Sequence, residues 1–368
     1  MKGVIIGGGI IGLSIARELQ KAGHNITVVE MYRVGRGASW TAGGMLAPQA
    51  EGLEPGTFLD MCLESRDMYE TFVKALEKET ETDVGYWKCG IFCPAYSEEE
   101  EHQLLARMKQ YTDMGLSGNW IDRKSLEGRY LSLGKDIRGG VLYPDDAQVD
   151  NRLLMIALEK YARHRGIHLM EFTQAEELIV QSGRFTGLRT SKGTVEADYC
   201  IVAAGAWSEK FVRAHIFPIK GEMAAIDVDK KDIDRVFFGS RAYLIPRKDY
   251  KRLVIGATEE MVGFVDGNTV KGILQLFTGL KETLPHLANR NIQEIWYGYR
   301  PATPDLLPVI GKTEVENLYV ATGHHRNGIL LAPVTAKIIK ELIVDGIESH
   351  YLEEFSISRF RKEDDGQN

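Results

Sequence analysis

The start of the chain shows two hydrophobic patterns in succession. Residues 2–6 form a short apolar run typical of a buried strand. Apolar residues then recur at helical spacing from Ile11 to Ala22, opposite charged positions, until Gly23 ends the helix. A second apolar run at 25–29 indicates another strand. The pattern therefore predicts a strand, a helix and a strand in close succession.

The turn between the first strand and the helix carries Gly7, Gly9 and Gly12. At this spacing the glycines permit a tight turn, the approach of a pyrophosphate to the backbone, and close packing of helix on strand. The phosphates then lie at the positive end of the helix. Glu30, after the second strand, would accept a hydrogen bond from a ribose hydroxyl, which favours an adenosine cofactor without a 2'-phosphate. The pattern predicts a dinucleotide site but does not separate NAD from FAD.

Helical and strand patterns alternate through the following residues. Apolar spacing predicts helices over 60–78 and 151–165, and Asp150 stands where the second helix needs an N-cap. Ser97 with Glu100 forms a capping box that predicts a further helix. Short runs separated by glycine turns predict strands over 167–170, 177–180, 184–189 and 199–203, the last leading into a glycine turn at 204–208.

Residues 216–296 are rich in strand patterns, with two runs at 243–247 and 253–258 flanking a polar turn. We predict an α/β fold (α+β overall) in which a Rossmann-like dinucleotide-binding domain lies beside an antiparallel-sheet substrate domain. The first domain is predicted to be discontinuous, with residues 1–84, 141–214 and 298–368, and the substrate domain is predicted to comprise 85–140 and 215–297.

Composition narrows the class of protein. The 368 residues are 44% hydrophobic and 26% charged, as expected for a globular chain of two domains. The net charge is −7 with dispersed basic residues, so we expect no nucleic-acid partner. No apolar run is long enough to span a bilayer, so we expect no membrane partner. Four cysteines without zinc or disulfide spacing favour a reducing, cytoplasmic location.

Seven motifs in order together resemble the D-amino-acid oxidase superfamily of FAD enzymes, and within it they are most similar to the glycine oxidases. The resemblance covers nearly the whole chain. It implies an FAD-binding domain assembled from separated segments beside an antiparallel sheet over the flavin, which agrees with the layout predicted above. The motifs are 7–12 with Glu30, 39–48, 203–208, 218–222, 243–258, 298–301 and 323–333.

The resemblance implies FAD as the cofactor, bound non-covalently because residues 300–305 contain no cysteine for attachment. The segment 324–330 would line the isoalloxazine ring, and Asn327-Gly328 followed by an apolar run suits a helix start whose N–H groups stabilise negative charge on a reduced flavin. From the sequence alone a loop entering a core helix remains open. The residues expected to contact FAD are Gly7, Gly9, Ile10, Ile11, Gly12, Glu30, Met31, Ala38, Ser39, Gly43, Gly44, Met45, Ala175, Gly205, Trp207, His324, His325, Arg326, Asn327, Gly328, Ile329 and Leu330.

The same resemblance assigns the substrate site. Arg300 would bind the substrate carboxylate with its planar fork of donors, and Tyr243 would add a hydroxyl. Arg326 would lie near the flavin and the carboxylate, while Met45 and Ala47 would shape the space beside the ring. We assign no acid or base, because an uncharged amine can pass a hydride from its α-carbon to the flavin.

His324 and His325 are adjacent, so their side chains should diverge, and no carboxylate or cysteine stands at metal spacing. We therefore predict no metal. Where glycine oxidases can carry a histidine two residues before the tyrosine, this chain has Arg241, which leaves the polarity of the pocket open.

The implied activity is oxidation of glycine, and less well of sarcosine and small D-amino acids, to the imine. Reoxidation by O₂ would give hydrogen peroxide, and hydrolysis of the imine would give the 2-oxo acid and ammonia. The resemblance also implies a role in building the thiazole of thiamine and a homotetramer. Two alternatives stay open: a D-amino-acid dehydrogenase that passes electrons to a quinone, and an FAD-binding subunit of a hetero-oligomeric amine oxidase.

Overall fold

The computed structural model describes residues 1–360. Its strands are β1 (Lys2–Ile6), β2 (Asn25–Val29), β3 (Met45–Leu46), β4 (Ile91–Ala95), β5 (Asn119–Asp122), β6 (Gly139–Tyr143), β7 (Ala147–Gln148), β8 (His168–Met170), β9 (Ala175–Gln181), β10 (Arg184–Thr190), β11 (Gly193–Glu196), β12 (Tyr199–Val202), β13 (Phe217–Ile226), β14 (Val236–Phe238), β15 (Tyr243–Pro246), β16 (Leu253–Gly256), β17 (Ile292–Ala302), β18 (Val309–Lys312) and β19 (Leu318–Thr322). Its α-helices are α1 (Ile10–Lys21), α2 (Ala38–Thr41), α3 (Thr57–Thr80), α4 (Glu98–Asp113), α5 (Arg123–Glu127), α6 (Asn151–His164), α7 (Val270–Thr283), α8 (Gly328–Lys340) and α9 (Leu352–Phe355).

The first layer is a six-stranded sheet in the order β18-β19-β12-β1-β2-β8. Its pairs are parallel except β18 with β19, which are antiparallel. Strands β1 and β12 are almost wholly buried, because helices cover one face of the sheet and β9 and β10 pack on the other. Helices α1, α3, α6 and α8 pack together over this sheet. The predicted Rossmann-like layer is confirmed.

The second layer is an eight-stranded sheet in the order β17-β13-β16-β15-β14-β4-β6-β5. Its pairs are antiparallel except β14 with β4, which are parallel and join two segments far apart in sequence. The predicted antiparallel layer is confirmed, with this one parallel pair as a correction.

Helix α7 lies inside the stretch predicted as strand-rich, so that expectation was incomplete. The Thr269 hydroxyl caps the helix by accepting a hydrogen bond from the Gly272 N–H at 3.0 Å. Leu276 and Leu280 pack on the second sheet in a core that includes Leu253. Burial of this apolar stripe stabilises a segment whose two internal glycines weaken the helical pattern.

The predicted domain limits at 140/141 and 297/298 fall inside β6 and β17. Both strands pair along their whole lengths with strands of the second sheet, so limits after Tyr143 and Ala302 follow the sheets better. Residues 361–368 of the predicted third segment lie outside the described residues.

A buried guanidinium links the two layers. Arg247, 6% exposed, follows β15 and donates through Nη1 to the carbonyls of Gly43 at 3.0 Å and Val149 at 3.2 Å. Its Nη2 donates to Oδ1 of Asn151 at 2.8 Å. The Asn151 amide in turn donates to the Ser39 carbonyl at 2.8 Å. These bonds fix the loop 39–45 between the sheets, where a large cavity opens.

Candidate active site

The cavity runs from the glycine turn after β1 to the inner face of β13 and β17, between the two layers. Most of the predicted site residues lie on its wall. These are Gly7, Gly9, Ile10, Ile11, Glu30, Met31, Ala38, Ser39, Gly43, Gly44, Met45, Ala175, Gly205, Trp207, Tyr243, Arg300, His324, His325, Arg326, Gly328 and Ile329.

The glycine turn leaves no room for side chains. Gly7 has φ +109°, and a Cβ there would lie 2.3 Å from the Ala203 carbonyl oxygen. A Cβ at Gly12 would lie 2.0 Å from the Gly7 carbonyl oxygen, so α1 packs directly on the turn. No side chain caps α1 at Gly9 within the described chain. Apart from the N–H of Ile10, which donates to the Ser39 hydroxyl, the N–H groups of its first turn are left for a phosphate.

Glu30 and Ser39 shape this end of the cavity. The Glu30 carboxylate accepts hydrogen bonds from the N–H groups of Gly8 at 2.8 Å and Tyr32 at 2.9 Å. The Ser39 hydroxyl accepts from the N–H of Ile10 at 2.9 Å. A carboxylate offers about four acceptor positions, so Glu30 can hold the turn and still accept from a ribose hydroxyl.

The opposite end of the cavity carries two guanidinium groups and a phenol. Arg300 lies on β17, and its Nη1 donates to the Thr258 carbonyl at 3.0 Å. Arg326 precedes α8, and its Nη1 donates to the Tyr243 hydroxyl at 3.4 Å. Tyr243, the first residue of β15, brings its hydroxyl to the same place. These groups form a site suited to a carboxylate.

The protonation states of Arg300, Arg326 and Tyr243 also suit a site that binds a carboxylate. Burial lowers the pKa of Arg300, with Tyr243 and Glu259 opposing the change. Burial alone would also lower the pKa of Arg326, but Glu51 and Tyr243 outweigh it and the pKa is raised. Burial raises the pKa of the Tyr243 phenol. At neutral pH the site therefore holds two cations and a neutral hydroxyl donor.

The two histidines point to different partners. The His324 ring contacts the Thr335 hydroxyl at 3.1 Å, and burial lowers its pKa to about 3. The His325 ring lies 3.5 Å from the Glu259 carboxylate, and burial followed by the charges of Arg300 and Arg326 lowers its pKa to about 4. Both rings are neutral at pH 7.

The start of α8 faces the same cavity. Gly328 and Ile329 lie on the wall, and Asn327 precedes the helix without capping it through its side chain. The N-terminal end of this helix therefore presents its positive dipole and free N–H groups to the cavity. This is the arrangement expected where a negatively charged ring edge must be stabilised.

Four predicted residues are not on this wall. Gly12 contacts the glycine turn, and Ala47, 2% exposed, lies in the core. Leu330 is 1% exposed and faces α3, where its carbonyl accepts a hydrogen bond from the Ser65 hydroxyl at 2.6 Å. Asn327 is 7% exposed and precedes the helix. Their expected contacts with the cofactor or substrate stay predictions, although none of the four lies on the wall.

Sequence reasoning missed several residues of the wall. The most informative is Glu51, a carboxylate at the arginine end. Its sequence context, a polar turn six residues after Met45, resembles exposed surface. The other missed residues include Gly37, Thr41, Ala42, Gln174, Lys210, Met223, Phe238 and Ala257. Arg241 does not lie on this wall; it pairs with Asp136 at 3.1 Å and Glu282 at 3.0 Å.

A substitution at Gly221 tests the placement of Arg300. A Cβ at Gly221 would lie 2.4 Å from Nη1 of Arg300, so Gly221→Ala should displace the guanidinium. We expect KM for the substrate to rise roughly tenfold, about 1.4 kcal/mol, within the usual cost of overpacking. Steady-state kinetics with FAD content measured on the same sample checks this. An unchanged KM would mean that Arg300 does not set substrate affinity.

The site thus combines a dinucleotide-binding turn with an anion-binding end in one cavity, the arrangement of a nucleotide-dependent enzyme. The model of the FAD dependent oxidoreductase family matches residues 3–342, and the chain belongs to this family. The residues present fit FAD: the glycine turn leaves space for a pyrophosphate, Glu30 reaches the ribose position, and the N-terminal end of α8 faces the arginine end.

Individual relatives agree with this assignment. The chain is 38% identical over 364 residues to the bifunctional protein ThiO/ThiG of Nostoc sp. (strain PCC 7120), covering 98% of the chain and 55% of that protein. It is 31% identical over 363 residues to the glycine oxidase of Bacillus subtilis (strain 168), covering 97% and 96%. The crystal structure of glycine oxidase from Geobacillus kaustophilus has a TM-score of 0.91 at 29% identity, covering 97% and 98%. The chain thus spans about half the length of the bifunctional relatives.

Proposed function

We propose that this protein is an FAD-dependent oxidase of glycine, with sarcosine and small D-amino acids as poorer substrates. The observation that carries the proposal is a single cavity in which Arg300, Arg326 and Tyr243 lie at one end and the glycine turn at the other. The glycine oxidases of Bacillus subtilis and Geobacillus kaustophilus, similar over nearly their whole lengths, support the choice of substrate. The products are the imine, hydrolysed to glyoxylate and ammonia, and hydrogen peroxide.

The bound FAD supplies the acceptor for a hydride from the substrate α-carbon. The residues of the chain orient the substrate and exclude water. Arg300 would bind the carboxylate, with Tyr243 and Arg326 as further donors, and so fix the orientation of the α-carbon. Met45 lies on the cavity wall, where its flexible thioether would adapt to small differences in shape. The N-terminal end of α8 stabilises negative charge as it develops.

Further features belong to the same proposal. The ThiO/ThiG relatives support a role in thiamine biosynthesis, where the imine or glyoxylate would serve the thiazole. We also propose a cytoplasmic homotetramer, on the resemblance to glycine oxidases and the cysteine content. Within residues 1–360, no helix combines the length and apolar composition that a membrane span requires.

The mode of cofactor attachment gives a direct prediction. The segment 300–305 contains no cysteine, so FAD should be held by non-covalent contacts alone. Acid precipitation of the purified protein should release a yellow supernatant with intact FAD, identified by chromatography and mass. Flavin that stays on the pellet would contradict this, and NAD in the supernatant would overturn the cofactor assignment.

Substrate and electron acceptor are tested together by oxygen uptake and peroxide formation from the purified chain. We expect kcat/KM to be highest for glycine and to fall gradually through sarcosine and D-alanine, because one methylene in an apolar pocket discriminates by only ~1–3 kcal/mol. D-Proline and D-phenylalanine should be poor. A preference for D-phenylalanine would replace glycine oxidase by a general D-amino-acid oxidase.

The same assay separates the two remaining alternatives. Substrate-dependent reduction of a quinone analogue without oxygen uptake would indicate a dehydrogenase. Bound FAD that no tested amine reduces would indicate a subunit of a larger oxidase.

A further inference from the structure

Glu51 lies beside the groups that bind a carboxylate, but a carboxylate ligand does not need an acidic neighbour. It lies in the turn after β3, where its N–H donates to the Ala47 carbonyl at 2.9 Å. Its side chain is only 7% exposed and lies on the wall of the cavity at the arginine end. A second cavity shares this stretch of wall, namely Glu51, Phe238, Tyr243, Ala257 and Arg326. Glu51 therefore stands where a small molecule at Arg300 meets a second opening.

Of the residues 1–360 that line the main cavity, Glu30 and Glu51 alone are acidic. Glu30 stands at the dinucleotide end, where Gly8 and Tyr32 donate to it. Glu51 is thus the single acidic group on the wall at the substrate end of the described chain. A lone carboxylate at this end can accept a hydrogen bond from a donor on the substrate.

Glu51 has two side-chain partners, Arg326 and Asn327, which occupy only some of the roughly four acceptor positions of a carboxylate. Arg326 Nη2 lies 3.7 Å from its Oε2, an ion pair longer than a hydrogen bond. Burial raises the pKa of Glu51, and Arg326 and the Asn327 side chain oppose the rise. A buried carboxylate is costly unless it accepts several hydrogen bonds. A ligand with an N–H donor would satisfy it.

An amino acid brings a carboxylate and an amine to the site, and Arg300, Tyr243 and Arg326 can donate to its carboxylate. We propose that Glu51 binds the amine end and so selects small carboxylates that carry an N–H donor on the α-carbon; this rests on the proposed function. Free and N-monomethylated amines satisfy the requirement, and carboxylates without an amine do not. Glu51 thus distinguishes amino acids from small carboxylates without an amine, while Arg300 binds the carboxylate that both kinds of molecule carry.

Glycine and acetate form the matched pair of probes, since acetate is glycine without its amine. On the FAD-loaded protein, glycine affinity is measured from the rate of anaerobic flavin reduction against concentration, and acetate affinity from the visible spectrum of the flavin. Glu51→Gln should weaken glycine binding about 4- to 12-fold, because the amide oxygen still accepts from the amine but a charge-assisted hydrogen bond is replaced by a neutral one about half as strong. Acetate should bind as before or more tightly, because a negative charge has been removed.

Glu259→Gln is the matched control. Glu259 contributes to the electrostatics of Arg300 and Arg326, but it does not line the cavity and is 48% exposed. Its replacement should change both affinities less than about twofold, because exposed charges are screened by solvent. Glu51→Asp keeps the charge on a shorter arm and provides a second variant should Glu51→Gln lose FAD. Glu51→Asp should lower the affinity for glycine and leave the affinity for acetate unchanged.

The measured affinities distinguish a substrate-binding role of Glu51 from a structural role. Equal loss of glycine and acetate affinity in both Glu51 variants would give Glu51 a merely structural role, and unchanged glycine affinity would overturn the proposal outright. Both results leave the proposed oxidase intact. Failure of the unaltered protein to be reduced by glycine or any small amine would instead overturn the proposed function, and the role of Glu51 with it.

Discussion

Replacement of Arg300 by alanine is expected to raise KM for glycine by about 30- to 5000-fold, the equivalent of ~2–5 kcal/mol for a charge pair removed from water. The guanidinium lies over Gly221 and donates one hydrogen bond to the Thr258 carbonyl. Its other N–H groups can therefore donate to a ligand in the cavity. FAD content should change little. Steady-state kinetics over a wide range of glycine, with flavin quantified by absorbance, measures the effect.

Arg241→Ala is the control for this experiment. Its guanidinium is already paired with Asp136 and Glu282 and is absent from the wall of the main cavity, so KM should stay within about twofold. Arg300→Lys should recover only part of the affinity, because an ammonium cannot bind a carboxylate with two parallel donors. An alanine variant with near-normal KM and little FAD would instead assign Arg300 to cofactor binding.

Gly12→Ala should have the second large effect, on cofactor affinity. Its Cβ would lie 2.0 Å from the Gly7 carbonyl oxygen, so α1 must move away from the turn that receives the pyrophosphate. Overpacking of this kind costs ~1–3 kcal/mol, which weakens FAD binding about 5- to 150-fold if the strain is relieved by the displaced turn. Titration of the apoprotein with FAD, followed by the quenching of flavin fluorescence, gives the dissociation constant.

Gly128→Ala is the control variant for Gly12→Ala. A Cβ at Gly128 meets nothing closer than 3.7 Å and the residue lies far from the cavity, so FAD affinity should be unchanged. If Gly12→Ala binds FAD as tightly as the unaltered chain, the close contact of α1 with the turn is not needed for the cofactor.

The strand, glycine turn and helix at the dinucleotide end of the cavity could be predicted from the sequence, because their determinants are local. The strand, the glycine turn and the first turn of α1 follow each other within twelve residues, and each glycine answers to a backbone contact made in the same segment or beside it. Ser97 and Asp150 likewise cap α4 and α6 as their short-range patterns predict. Such elements depend little on distant parts of the chain.

The arginine end required tertiary information. Glu51 joins Arg326 only because the short pair β3–β7 turns its loop inward. In helix α7, Gly272 and Gly279 weaken the helical pattern, yet each is needed: a Cβ would lie 2.5 Å from the Glu222 carboxylate or 2.2 Å from the Arg241 carbonyl oxygen. Leu330 is buried in the core while Ile329 lies on the cavity wall, because one helical step rotates a side chain by about 100°.

The arginine between the sheets has a consequence for how this fold varies among its relatives. Arg247 belongs to the second layer, while its acceptors Gly43, Val149 and Asn151 belong to segments that close the first. A second layer packed on a first layer without these acceptors would leave a buried guanidinium without partners, which typically costs ~3–5 kcal/mol. A new substrate sheet therefore cannot be grafted onto an existing cofactor half as a self-contained module. Donor and acceptors must be exchanged together for the two layers to keep their packing.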